Sequence, residues 1–239
     1  MDKMLIINDI FLGFIRALML ILNGNSEVIH ITLLSLRVSG PATLIGACIS
    51  IPLGTMLAMY NFPGKSFITH VMNTMISLPP VVVGLLVFLL LSTQGPLGFL
   101  ELLYTPTAMI FAQLILVIPI CMAVTFSSIT SVDRRIQDTI SSLNFSSIWK
   151  IKIMINETKI GILTSIIAGF GAAISEVGAI MIVGGNLNGF TRVLTSTIVL
   201  KTNQGMFEEA IALGLILLFL AFIINGIMTF LQFKIKKGK

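Results

Sequence analysis

Few residues in this chain have the chemistry to act on anything, and they stand apart from one another. Glu176 is the acidic residue deep in an apolar run, 159–183, and Arg37 is the basic residue inside another, 31–60. A charge at the centre of a hydrocarbon layer costs on the order of 2.5–3.5 kcal/mol, so each needs a partner or a water-filled cavity. Counting inward at about 1.5 Å per residue brings both to a similar depth from the same side. An intramembrane ion pair between Arg37 and Glu176 is therefore expected. The alternative is that Arg37 snorkels outward along its own helix while Glu176 is protonated or hydrogen-bonded where it stands.

His30 and His70 are isolated near the ends of apolar runs and read as interfacial histidines. Cys48 and Cys121 lie inside apolar runs without CxxC spacing, which suits small packing residues rather than a redox pair or metal ligands. Gly64-Lys65-Ser66 imitates the end of a phosphate-binding loop, but Met59 stands where that loop needs its first glycine. No His/Glu zinc spacing or G-x-S-x-G elbow occurs, and Ser175 cannot be assembled into a dyad with either histidine. No catalytic residue, metal site or bound cofactor is expected, so energy must come from a partner or an ion gradient.

The elements that must position these residues are set by hydropathy. Of 239 residues, 56% are hydrophobic and 10% charged, with a mean hydropathy of +1.02. Such a chain has lipid as its solvent. Its apolar runs reach the roughly twenty residues a helix needs to span about 30 Å, rather than the alternating segments of about ten that build a barrel. In lipid the backbone must satisfy itself, so the runs are helices. The fold class is all-α, with five transmembrane helices over 31–60, 67–92, 105–127, 159–183 and 207–232. Residues 10–22 are apolar but short, end at the turn-rich Asn23-Gly24-Asn25-Ser26, and read as an external interfacial helix, the alternative being a sixth span. No cleavable signal is seen in 1–10.

Basic residues orient the spans. Lys65, Arg134, Arg135, Lys150, Lys152, Lys159, Lys234, Lys236, Lys237 and Lys239 gather on one side, against Lys3, Arg16, Arg192 and Lys201 on the other. The C-terminus is therefore cytoplasmic and the N-terminus outside, in the plasma (inner) membrane. The chain divides into an external segment 1–30, a transmembrane domain 31–233 and a basic tail 234–239.

Two loops are long enough to carry structure. The outer one, 184–206, regains an amphipathic pattern at Val193, Leu194, Ile198 and Leu200 and is expected to re-enter the membrane. The inner one, 128–158, places Ile136, Ile140, Leu143 and Ile148 near helical spacing and reads as a short amphipathic docking helix, the alternative being an interfacial helix lying on lipid. In the fourth span, Gly161, Ser165, Gly169 and Ala173 form one small-residue stripe and Gly171, Ser175 and Ala179 another, so that helix should be packed on more than one side. Pro79 and Pro80 must kink or unwind the second span, and broken helices at membrane depth commonly line a pathway.

With these landmarks in place, the chain resembles a type I ABC importer permease over about 31–233. Asp138-Thr139-Ile140 occupies the first places of that family's cytoplasmic EAA loop, Asn144 its glycine place, and Trp149, Lys150 and Lys152 follow. Asn tolerates a left-handed backbone better than other non-glycine residues, which makes that departure mild. Leu78-Pro79-Pro80-Val81-Val82-Val83-Gly84, Gly95-Pro96-Leu97-Gly98 and Ala112-Gln113 through Pro119 follow in the order found in permeases for sulfate, molybdate and tungstate. The run from Glu176 to Asn186, followed by Gly189, Thr191-Arg192-Val193-Leu194-Thr195 and Ile198, resembles the tungstate branch most closely.

The resemblance implies a homodimer in membrane lipid, two ATP-binding subunits beneath it and an external oxyanion-binding protein above, with no nucleic-acid partner. ATP and magnesium would sit on the partner chain, making this chain a transport subunit and not an enzyme. Asp138, Thr139, Leu143, Asn144 and Trp149 would couple to the ATP-binding subunit. Pro79, Pro80, Ser175, Asn186, Thr191 and Arg192 are the candidates for the pathway or its gate. The anion would be tungstate, or else molybdate or sulfate. A proton-coupled carrier using Glu176 fits less well, because five spans without an internal repeat are an unusual carrier.

Overall fold

A computed structural model of the protein describes residues 3–237, and the side chains of 12–140, 142–235 and 237. The side chains of Lys3 and Lys236, and all of Lys239 at the end of the basic tail, lie outside the described residues. Among the described residues there are eleven α-helices and no strand. They are α1 (Lys3–Leu22), α2 (Ser26–Met59), α3 (Lys65–Ile76), α4 (Pro80–Leu91), α5 (Pro106–Thr130), α6 (Arg134–Ser142), α7 (Ser147–Glu157), α8 (Lys159–Ser175), α9 (Gly178–Gly184), α10 (Leu194–Asn203) and α11 (Phe207–Lys237).

Three helices, α2, α5 and α11, are long and apolar enough to cross a membrane unaided. The number reaches five when α3–α4 and α7–α8 are each taken as one bent span. Two expected spans are thus interrupted. The second, 67–92, breaks at Ser77–Pro79, because two prolines remove backbone donors and Pro80 suits the first turn of a new helix. The fourth, 159–183, breaks at Glu176 and Val177, where a continuous helix was expected. Pro41, Pro52 and Pro119 by contrast lie within α2 and α5 without ending them.

The helices distribute over two compact units. One comprises the chain up to Gly40, Pro80–Ala112 and Ile174–Gly226. One core in it joins Ala17, Ile31, Leu194, Ala212, Leu213 and Ile216. This brings α1 into packed contact with α2, α10 and α11. Gly13 makes the contact possible, since a Cβ there would lie 2.6 Å from the Ile211 side chain. Arg16 adds ion pairs to Glu209 at 2.7 Å and Glu208 at 3.5 Å, and Lys201 reaches Glu209 at 2.7 Å. A second cluster of Leu34, Val38, Met109, Ile180 and Val193 binds α2, α5 and α9.

The other unit comprises Pro41–Pro79, Gln113–Ala173 and the chain from Ile227 onward. Here α5 is the central helix. Its Gln113 Nε2 donates to the Ala173 carbonyl at 2.7 Å, its Cys121 Sγ to the Ser165 carbonyl at 3.2 Å, and its Ile118 carbonyl accepts from Ser50 Oγ at 2.9 Å. Buried Cys121 packs with Val117 and Ala173, as a small core residue should. The stripe from Gly161 to Ala173 does face α5: added Cβ atoms at Gly161 and Gly169 would strike Ser128 and Cys121. The second stripe divides: a Cβ at Gly171 would meet nothing within 4 Å and Ser175 is exposed, whereas Ala179 is 0% exposed.

Candidate functional site

Two constellations collect the residues singled out above. The first is built on loop 128–158, which folds as two short helices rather than one. Asp133 caps α6 by accepting from the Arg135 amide at 2.8 Å. Gln137 Nε2 donates to the Val132 and Ile129 carbonyls at 2.9 and 3.2 Å, tying α6 to the end of α5. Ile140 and Met154 are buried against Ile129, so each helix commits one apolar face inward. What remains outward is also apolar: Leu143, Phe145, Ile148 and Trp149 are 39%, 52%, 78% and 56% exposed. Lys152 Nζ lies 5.0 Å from the centre of the Trp149 ring, a cation–π contact that leaves the rest of the indole open.

Asp138 and Thr139 stand exposed on α6, with Thr139 Oγ1 donating to the Arg135 carbonyl at 2.7 Å. Asn144 is exposed, but the left-handed backbone expected of it is absent, since the non-glycine residues with positive φ are Glu101, Tyr104 and Asn186. The turn is made instead by Leu143, whose extended φ/ψ of −62°/135° ends α6. Four residues, 143–146, then separate the helices, and a residue in extended conformation needs no glycine. At its far end α7 meets α8 across Thr158 with a bend of 80°.

The second constellation surrounds the break at Glu176. The side chain of Glu176 is 9% exposed, and Oε1 accepts from the Ala179 amide at 2.9 Å, capping α9. Its carbonyl, freed by the break, accepts from Thr195 Oγ1 at 2.9 Å. Arg37 is exposed on α2 and forms no ion pair with Glu176. The expected Arg37–Glu176 pair is therefore corrected. A helix break supplies unsatisfied amides of its own, and a carboxylate at a helix N-terminus answers both their hydrogen bonding and their dipole.

Around this break α9 packs against α4. A Cβ on Gly84 would lie 2.6 Å from the Ala179 Cα, and one on Gly178 would lie 2.6 Å from Val81 Cγ2. Pro80 opens α4 and Pro79 precedes it, both exposed, so the proline break adjoins the helix that α9 rests on. Beyond α9, Gly185 and Asn186 take left-handed φ of 69° and 50°. Thr191 Oγ1 donates to the Gly184 carbonyl at 2.5 Å and accepts from the Leu187 amide at 2.9 Å, closing that turn. Thr191 is 0% exposed and holds the turn together, which removes it from the pathway candidates. Asn186 Oδ1 accepts from Ser196 Oγ at 2.9 Å, and Arg192 Nη2 donates to the Asn186 carbonyl at 3.5 Å. The Arg192 Nε is buried with no hydrogen-bond partner among the described residues.

Reading the sequence missed Gly84, Gln137, Thr195 and Ser196 as positioning residues. Gly84 stood in the quoted proline-rich run, and a glycine one turn past Pro80 in an apolar helix was the available signal for close backbone approach. The structure leads to a direct expectation for Glu176. Glu176→Gln, which keeps an acceptor oxygen, should lower the thermal stability of the detergent-solubilised chain by less than about 1 kcal/mol, whereas Glu176→Ala should cost about 1–2 kcal/mol. Arg37→Ala should move it by no more than about 0.5 kcal/mol. A Glu176→Gln variant as unstable as Glu176→Ala would contradict the capping role.

Comparison with known proteins extends these observations. The model of a family described as binding-protein-dependent transport system inner membrane component matches residues 50–237. The chain is 43% identical over 220 residues to a tungstate uptake system permease protein of Peptoclostridium acidaminophilum, covering 92% of this chain and 96% of that protein. It is 36% identical over 242 residues to a protein of the same description in Campylobacter jejuni, covering 99% and 100%. A probable anion ABC transporter permease protein of Haloferax volcanii is 40% identical over 205 residues, covering 84% and 88%. Molybdenum and sulfate transport system permeases are more distant relatives.

Proposed function

Given that the chain belongs to the family of binding-protein-dependent transport system inner membrane components, we propose that it is the membrane-spanning permease of an ATP-driven tungstate importer. The observation that carries the choice of anion is the 43% identity to a tungstate permease, sustained over 92% of this chain. The working unit in this reading is a homodimer in the plasma membrane, with two ATP-binding subunits on the cytoplasmic side and an oxyanion-binding protein outside. The N-terminus is external, the C-terminus cytoplasmic, and loop 184–206 re-enters the membrane from outside. ATP and magnesium belong to the partner chains.

The geometry supports a mechanism through α6 and α7. Their exposed Leu143, Phe145, Ile148 and Trp149 offer an apolar face to the ATP-binding subunit, with Asp138, Thr139 and Asn144 at its rim. Displacement of α7 passes through the Thr158 bend to α8, which cannot slide freely because Gly161 and Gly169 are locked against α5. The spans therefore rock together, giving alternating access. A dianionic oxyanion is repelled by a bare carboxylate. Glu176 is 9% exposed and its Oε1 is engaged on the Ala179 amide, so in this reading it serves α9 and is not one of the groups that meet the anion. Arg192, with its buried unpartnered Nε, Asn186 and Ser175 are the outer-route candidates, and Pro79 and Pro80 the flexible point of the gate.

The test is ATP hydrolysis by the chain reconstituted with its ATP-binding subunit and binding protein, adding tungstate, molybdate or sulfate in turn. Stimulation is expected at far lower tungstate concentration than for the other two. Stimulation by molybdate or sulfate at equal or lower concentration would reassign the anion, and none by any of them, with assembly verified, would overturn the importer reading.

A further inference from the structure

We infer that one face of α3 is the wall of the water-filled inner half of the anion path, and that it hands a tetrahedral oxyanion along by neutral hydrogen-bond donors. The inference rests on the importer reading above and adds to it a surface that the family landmarks did not include. Helix α3 belongs to one of the two bent pairs that are apolar enough to count as membrane spans. Yet Ser66, Thr69, His70 and Asn73 recur at three- and four-residue intervals, which places them on a single face. They line an open groove of about 560 Å³ together with Asn61, Phe62 and Lys65.

Three features of this groove point to water and an anion rather than lipid. Ser66, His70 and Asn73 are exposed, and none of the three side chains makes a hydrogen bond among the described residues. A face of unsatisfied polar groups turned to hydrocarbon would cost several kcal/mol per group, roughly, so it must be wet or covered. The groove contains no carboxylate. Its charge is that of Lys65, whose Nζ is held at the mouth by the Asn61 Oδ1 at 3.1 Å and the Ala58 carbonyl at 3.3 Å. Hydroxyl, imidazole and amide groups can each donate to an oxyanion, and donors spaced about one turn apart suit passage better than a single tight site. The opposite face of α3 differs in kind: Ile68 and Val71 are also exposed, at 41% and 39%, but carry no polar atom.

Single cysteines decide the matter in a Cys48→Ser background, using the assembled complex in vesicles and a membrane-impermeant sulfonate-bearing thiol reagent. A thiol reacts as its thiolate, which forms in water and not in hydrocarbon. Ser66→Cys, His70→Cys and Asn73→Cys are expected to react at least about tenfold faster than Ile68→Cys and Val71→Cys. Equal rates on the two faces, or no reaction at positions 70 and 73, would overturn the assignment.

The second arm asks whether the anion uses this wall. Asn73→Asp places a fixed negative charge in the groove and should cut tungstate uptake at least about tenfold, with Asn73→Ser within about twofold of the parent. Equal uptake by all three would remove the anion from this face. Should the parent complex transport no oxyanion at all, the importer reading fails on its own account, and the labelling pattern still decides whether the face is wet.

Discussion

Trp149→Glu is expected to abolish ATP-dependent uptake and copurification of the ATP-binding subunit while leaving the isolated chain folded. Trp149 is 56% exposed and its neighbour Ile148 78%, so neither contributes much to this chain's own core. In the proposed reading, the large apolar side chains left outside on this short helix, next to buried Ile140 and Met154, are the anchors for the ATP-binding subunit. A tryptophan anchor is commonly worth about 2–4 kcal/mol at an interface, or roughly a thirty- to thousandfold loss of affinity on removal. A carboxylate in its place adds the cost of burying an unpaired charge. Met154→Ala is the contrasting variant. Met154 is 0% exposed, so its truncation should cost about 2–5 kcal/mol of the chain's own stability before any partner is present. The pair is separated by pull-down against thermal unfolding and circular dichroism. Undiminished capture of the ATP-binding subunit by Trp149→Glu would show that α7 docks elsewhere.

Gly84→Val should produce the largest loss of stability among single glycine replacements in α4 and α9. Even the first added carbon would stand 2.6 Å from the Ala179 Cα and 3.2 Å from the Ala179 carbonyl oxygen. Backbone cannot swing aside as a flexible side chain can, so α9 must move. Overpacking of this kind costs about 1–3 kcal/mol, and the branched side chain belongs at the upper end of that range or beyond. The displacement also reaches function, because α9 carries the Ala179 amide that Glu176 caps, and α4 begins at the proline break. Gly214→Ala, on α11 where an added Cβ meets nothing within 4 Å, is the control. It should hold or raise stability by up to about 1 kcal/mol through helix propensity. The readout is the unfolding midpoint in detergent, together with ATP hydrolysis in the assembled complex. Matching midpoints for Gly84→Val and Gly214→Ala would refute close α4–α9 packing.

Much of the architecture was legible from hydropathy alone, because a chain in lipid has few choices. α2, α5 and α11 lie where their apolar runs lie. The break before Pro80 was legible too, since a missing amide is a local fact about proline. The break at Glu176 was not. Ser175-Glu176-Val177-Gly178 contains no residue that forbids a helix, and the interruption is sustained by groups distant in sequence, with Thr195 Oγ1 taking the freed carbonyl and Gly84 admitting α9 to α4. The same gap explains the Arg37 error. Depth counting treats each helix as continuous, and a continuous helix offers a carboxylate no amide, so Arg37 looked necessary.

The sequence by itself determined the solvent, the long apolar helices and the family, since each rests on local composition or on motifs read in order. Only the tertiary structure decided which polar groups serve the chain itself and which are left for a ligand or partner. In one dimension Thr191 looks like a pathway residue and Glu176 like half of an ion pair, and in three they close a turn and cap a helix. Trp149 and the α3 face of His70 and Asn73 remain outward. Whether a hydrogen-bonding or apolar group is already satisfied depends on neighbours brought together by packing, and sequence spacing carries no record of those neighbours.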